Sequence, residues 1–274
     1  MQKPSALPQL TDRTALMRNR ARALHAPAFF LREKVVAEVQ ERLLEVNRTF
    51  TAPAIVTPFP DLWGSVFPTA RIIPDAPVLA LETGAHDLVI HDLCLHWADD
   101  PIGQMVQARH ALRPDGLFIA TMFGGQTLQE LRRALAEAET MVTGGLSPRV
   151  APMAEIRDAG ALLQRAGLAL PVADSADYAV TYSDALALMR DLRAMGEGNA
   201  LAQRLRHPTR RAVIAAATAL YAEHFSDAAG RIRATFEIVT LTGWAPAPDQ
   251  QQPLRPGSAK ARLADALRVP ELPI

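Results

Sequence analysis

Three histidines, His86, His91 and His96, recur every five residues in a stretch that also holds Asp87, Asp92 and the one cysteine, Cys94. Imidazoles and carboxylates gathered so closely are the material of metal binding or of general acid and base chemistry. A five-residue spacing along a strand places alternate members on opposite faces. The three rings therefore should not converge, and no metal site is expected. His96 remains a candidate catalytic acid or base, since an unperturbed imidazole titrates near about pH 6.5. His91 and Asp92 should lie at the carboxyl end of a strand, where they would line a pocket or cap the strand. Cys94 has no Ser/His/Asp pattern beside it and reads as a small buried hydrophobe. Trp97 either walls a site or, as the simpler reading has it, packs in the core. Farther on, Tyr178 and Tyr182 with Arg149, Arg190 and Arg193 could form a lid over a substrate. A solvated helix face would explain the arginines equally well.

Alternating strands and helices would position these groups. Asp87-Leu88-Val89-Ile90 and Leu117 to Phe123 are compact apolar runs of the kind found in buried parallel strands. Between them Ile102 to Leu112 reads as a helix, and Pro114-Asp115-Gly116 as a turn. Thr127 to Val142 is a further helix with Leu128, Leu131, Leu135 and Ala138 on one face. The alternation predicts a parallel sheet clad by helices, with ligands beyond the carboxyl ends of its strands. Ahead of it, Thr11 to Val46 reads as helical, with a buried stripe of Leu31, Val35, Val39 and Leu43. The arginines at 13, 18, 20 and 22 would suit a transit peptide. An ordinary amphipathic helix is preferred, because Asp12 stands as its N-cap. Ala54 to Val56 and Ala70 to Ile73 read as short strands either side of a proline-rich stretch. After Ala154 to Ala166, a helix, come a strand at Val172 to Tyr182, helices at Ser183 to Met195 and Pro208 to Phe225, and a closing strand at Arg231 to Leu241. A short helix is expected at Ser258 to Leu267.

Lys+Arg and Asp+Glu each total 29 in 274 residues, so no excess charge points to nucleic acid. The longest nearly apolar run, Ala212 to Ala222, falls short of the roughly 20 residues of a membrane-spanning helix. One cysteine allows no internal disulfide and fits a reducing compartment, so a cytoplasmic protein is expected.

The run Asp87 to Trp97, with Ala111-Leu112-Arg113-Pro114-Asp115-Gly116-Leu117-Phe118, resembles the fourth and fifth strands of class I S-adenosylmethionine-dependent methyltransferases. Three later segments resemble, more specifically, the methyltransferase-like assembly factors of respiratory complex I. They are Ser147 to Pro152, Leu188 to Gly196, and Thr235 to Val239 with Thr242 to Pro246; the tail Pro253 to Lys260 adds to the match. A more distant likeness is to the malonyl-carrier-protein methyltransferase of biotin synthesis. The resemblance covers nearly everything except residues 51–86. It implies a Rossmann-like class I methyltransferase fold, α/β, with helices inserted before the last strand. The implied divisions are a helical lead-in at 1–50, the core at 51–182, a helical cap at 183–230, and the closing strand and tail at 231–274. It implies S-adenosylmethionine as cofactor, held by Asp75, Ala76, His91, Asp92 and Leu93, and a protein partner or substrate, a respiratory complex subunit. Trp97, Arg149, Tyr178, Tyr182 and Arg190 would meet the substrate.

In that superfamily a glycine-rich loop follows the first strand, because only glycine lets the backbone approach the cofactor closely. Here Val56-Thr57-Pro58-Phe59-Pro60-Asp61-Leu62-Trp63-Gly64 has a single glycine, and its prolines remove amide donors. Length agrees. Two strands and three crossovers before the fourth strand need about 43 residues, and Pro60 to His86 supplies 27. One strand and its crossover helix should be missing, leaving a shortened N-terminal half of the sheet. Asp75 would accept from the ribose if Ala70 to Ile73 is the second strand, or from the adenine amino group if it is the third. The segment Asp75-Ala76 followed by Leu79 and Leu81 favours the third. Three functions follow: an active methyltransferase, a cofactor-free relative that binds a partner, and modification of a side chain such as arginine by other chemistry.

Overall fold

A computed structural model describes residues 9–250; the helix expected at Ser258 to Leu267 lies outside them. The sheet has six strands in the order β2-β1-β3-β4-β6-β5: β1 (Pro53–Val56), β2 (Arg71–Ile73), β3 (His86–His91), β4 (Leu112–Phe123), β5 (Ala169–Tyr182) and β6 (Ile232–Trp244). The first four run parallel, and β6 is antiparallel to both β4 and β5. This is the Rossmann-like class I methyltransferase fold, with one strand fewer between β1 and β3. The strand expected as the third pairs directly with β1, Ala54 against Arg71 and Val56 against Ile73. With no strand between them, the backbone edge of β1 is satisfied by β2 itself.

Helices cover both faces. On one, α2 (Phe30–Val46), α5 (Gln129–Thr143), α7 (Ala185–Ala194) and α8 (Arg211–Phe225) pack over Ile55, Ile90, Ile119 and Phe236. On the other, α4 (Pro101–Ala111) and α6 (Ile156–Arg165) pack over Ala54, Val89, Phe118 and Leu241. Both faces being covered explains why β3 and the end of β4 read as unbroken apolar runs rather than as alternation.

The helical stretch ahead of β1 is two helices, α1 (Arg13–Ala23) and α2, separated at residues 24–29. Asp12 caps α1, its carboxylate accepting from the Ala15 amide at 3.0 Å. The approach to α1 is strapped down. Asp99 accepts from the amides of Leu10 and Thr11, both at 2.9 Å, and the Thr11 hydroxyl donates to the Trp97 carbonyl at 2.8 Å. Thr11 also bridges Leu201, so the N-terminal helices are bound to the carboxyl edge of the sheet instead of merely leading into it. A short helix, α3 (Asp61–Gly64), buries Trp63 beneath them.

Candidate functional site: a filled strand edge and an open pocket

Two sites lie along the carboxyl edge of the strands. The first is where β1, β2 and β3 end. Asp75, just past β2, is 4% exposed, and it is bonded by two arginines of α1: Arg20 Nη1 donates at 2.6 Å and Arg13 Nη1 at 3.1 Å. Arg13 also donates to the Asp75 carbonyl. Burial works to raise the Asp75 carboxyl, but Arg20 and Arg13 outweigh it and hold it below the ordinary range. Asp92, fully buried after β3, accepts from Arg32 Nη1 of α2 at 3.0 Å and from the Thr57 hydroxyl at 2.7 Å. Arg32 Nη2 reaches the Leu93 carbonyl at 3.0 Å, and Leu93 itself sits at φ +39° with its amide donating to the Thr121 hydroxyl.

Residues 57–60, directly after β1, have no free amide to offer a ligand. The Thr57 amide donates to the Ile73 carbonyl and the Phe59 amide to the Thr57 hydroxyl; Pro58 and Pro60 have none. The Phe59 ring, 2% exposed, fills the space between Phe29 (centroids 4.7 Å apart) and the Arg32 guanidinium (4.8 Å). Gly196, at φ +79°, permits this closure: a Cβ there would stand 3.1 Å from Arg20 Cγ and 3.2 Å from the tip of Phe59. His91 is turned inward, its Nε2 at 2.6 Å from Gln104 Oε1 and its Nδ1 at 3.4 Å from Cys94 Sγ. Burial lowers the His91 imidazole and raises the Cys94 thiol. The Ala76 carbonyl accepts from Gln104. Asp75, Ala76, His91, Asp92 and Leu93 are thus gathered at one place. Their polar side-chain atoms are bonded to the chain itself, save Asp92 Oδ1. The residues present do not fit S-adenosylmethionine: both acids hold arginines, and the loop that would receive the methionine part is prolines and a buried phenylalanine.

Beside this plug a pocket of about 240 Å³ opens against α5 and α7, lined by Trp97, Phe123, Leu131, Met153, Met189 and Phe236 among others. Glu197, in the turn after α7, joins the two sites. Its Oε2 accepts from Trp97 Nε1 at 2.7 Å and lies 3.2 Å from His96 Nε2, while its Oε1 accepts from Arg32 at 3.4 Å. Burial pushes the Glu197 carboxyl up, but His96, Arg32 and Arg20 prevail and hold it at about 2. His96 is 5% exposed and pressed against the Phe123 ring at 4.9 Å. It therefore lies behind the pocket wall and does not face the space.

Trp97 and Arg149 line the pocket, although Arg149 is committed to Glu139 at 2.6 Å. The expected lid does not form from the other three. The Tyr178 hydroxyl donates to Glu38 of α2 at 3.4 Å, the Tyr182 hydroxyl to Asp191 at 2.9 Å, and Arg190 bonds back to the Leu186 carbonyl of its own helix. Tyr178 and Tyr182 belong to the edge strand β5, where Glu38 of α2 and Asp191 of α7 have taken their hydroxyls. Sequence reasoning missed Arg13, Arg20, Arg32 and Glu197. For Arg32 a signal existed: with Val35, Val36 and Val39 it falls on the apolar stripe of α2, where an arginine is out of place unless paired.

No family model matches the chain. It is 39% identical over 202 residues to the rat mitochondrial protein named arginine-hydroxylase NDUFAF5, covering 74% of this chain and 59% of that protein. It is 36% identical over 179 residues to the malonyl-[acyl-carrier protein] O-methyltransferase of Xylella fastidiosa, covering 65% and 58%. The chain thus spans about three fifths of the length of these relatives. A crystal structure of a putative methyltransferase from Bacillus halodurans, 10% identical, superposes over 76% of this chain and 98% of its own with a TM-score of 0.47. No helix among the described residues is long and apolar enough to cross a membrane.

Proposed function

We propose that this methyltransferase-like chain, a homologue of the NDUFAF5 proteins and of malonyl-carrier-protein methyltransferases, works without S-adenosylmethionine as a partner-binding protein. The carrying observation is that Arg20 on Asp75 and Arg32 on Asp92 pair the two acids at the carboxyl edge of β1, β2 and β3 with guanidiniums of the chain itself. A fold does not entail an activity, and a site needs its groups free. The resemblance to complex I assembly factors supports a respiratory-complex subunit as partner, and the single cysteine supports a cytoplasmic location. The open pocket beside Trp97 is the surface available for that partner. The hydroxylase name of the rat relative belongs to a longer protein, of which this chain matches 59%.

A second reading, S-adenosylmethionine-dependent methyl transfer, is favoured by the 36% identity to the Xylella methyltransferase. It requires both arginines to withdraw. Calorimetric titration with S-adenosylmethionine and S-adenosylhomocysteine at about millimolar concentration separates the two. The proposal expects no heat of binding. A dissociation constant below about 100 μM, roughly the −5.5 kcal/mol that tight seating would supply, would sink it.

A further inference from the structure

The pocket beside Trp97 is the centre of a longer groove. At one end it meets a cavity of about 420 Å³ bordered by Asn19 and Arg22, sharing Arg193, Gly198 and Asn199 with it. At the other it meets one of about 280 Å³ bordered by Leu146, Leu205 and Arg210, sharing Arg149. The central part is apolar and aromatic. Leu146 and Leu205 extend that character outward, at 71% and 39% exposure.

The charges along the groove are unbalanced in one direction. Its two acids are already engaged: Glu139 by Arg149 and Ser147, Glu197 by Arg32, His96 and Trp97. Three of its cations are not. Arg22, Arg193 and Arg210 are exposed, and none has an ion-pair partner among the described residues. An apolar well between separated, unpaired guanidiniums complements a segment with a bulky apolar anchor and carboxylates on both sides of it.

We propose that this groove docks an acidic peptide segment of a partner protein, with an aromatic or aliphatic anchor seated against Trp97, Phe123 and Leu131, and with flanking carboxylates on Arg193 and Arg22 at one end and Arg210 at the other. A fatty acid would supply an apolar tail but only one carboxylate, leaving the far cation unmatched. The inference rests on the partner-binding reading above, but not on the closure of the strand edge.

Fluorescence anisotropy tests it on the full chain with labelled octapeptides carrying a central Leu-Phe between pairs of glutamates. A matched peptide has lysine for every glutamate, and another has Ser-Ser for Leu-Phe. The glutamate peptide should bind at least about tenfold more tightly than either control. Arg193→Glu and Arg210→Glu should each weaken it about fivefold to tenfold, with unchanged melting temperatures, as expected of exposed rim charges. Equal binding of the acidic and basic peptides, no binding at about 1 mM, or indifference to both reversals would overturn it. So would saturable binding of the fatty-acid probe cis-parinarate that depends on Arg193 while the peptide fails. Cofactor binding by the unaltered chain would remove the cofactor-free reading and leave the peptide result unaffected; peptide failure with no cofactor binding would do the reverse.

Discussion

Arg32 and Arg20 enter the sheet edge from consecutive helices, yet replacing each by methionine should have unequal effects. Arg32 donates to Asp92 Oδ2 (3.0 Å), the Asp92 carbonyl (3.1 Å), the Leu93 carbonyl (3.0 Å) and Glu197 (3.4 Å). Asp92 has no other guanidinium, and its Oδ1 already lacks a partner. Arg32→Met therefore strands a fully buried carboxylate and two carbonyls, a loss of about 3–5 kcal/mol. Arg20 makes one bond, to Asp75 at 2.6 Å, while its Nε and Nη2 are buried without partners. Asp75 keeps Arg13 when Arg20 is removed, and two unsatisfied donors go with it, so Arg20→Met should cost only about 1–2 kcal/mol. At about 2–4 °C per kcal/mol for a chain of this size, the melting temperature should fall roughly 6–20 °C for Arg32→Met and roughly 2–8 °C for Arg20→Met. Urea unfolding followed by far-ultraviolet circular dichroism gives the free energies directly. An Arg20→Met loss equal to or larger than that of Arg32→Met would refute the reasoning that the unpaired nitrogens decide the difference.

Acid should unfold the chain partly through Glu197. Its folded value of about 2 lies below the ordinary 4.5, so its contribution is complete above about pH 4.5 and is lost as pH falls toward 2. Urea melts at pH 7, 4.5 and 3 should show Glu197→Gln less stable than the parent at neutrality, with the gap narrowing at pH 3; a gap independent of pH would count against it. Tyr221 is fully buried and its hydroxyl donates to the Arg233 carbonyl at 2.8 Å. Tyr221→Phe should cost about 1 kcal/mol in the same melts, and a neutral result would mean that the carbonyl finds another donor.

Much of the architecture was legible because burial writes itself into residue type. The apolar runs of β3 and β4 gave the central strands, the stripes of α2 and α5 gave their inner faces, and the distance from Pro60 to His86 showed that one strand was missing. The place of β2 was less legible. Its sequence likeness to an outer strand says nothing of which edge is left open once a neighbour is lost. The plug was hardest to see. The Arg20–Asp75 and Arg32–Asp92 pairs join residues 55 and 60 apart, and an arginine on a helix looks the same in sequence whether it meets water or a buried acid. Tyr178, Tyr182 and Arg190 were misplaced for the related reason that spacing along β5 and α7 does not reveal which neighbours have already taken a side chain.

A nucleotide-binding protein draws part of its stability from mass action, growing firmer as ligand concentration rises above the dissociation constant. The arginines on Asp75 and Asp92 belong to the same chain, so their effective concentration is fixed by covalent connection and does not dilute. The stability that these pairs contribute is therefore the same at every protein concentration and owes nothing to a bound molecule.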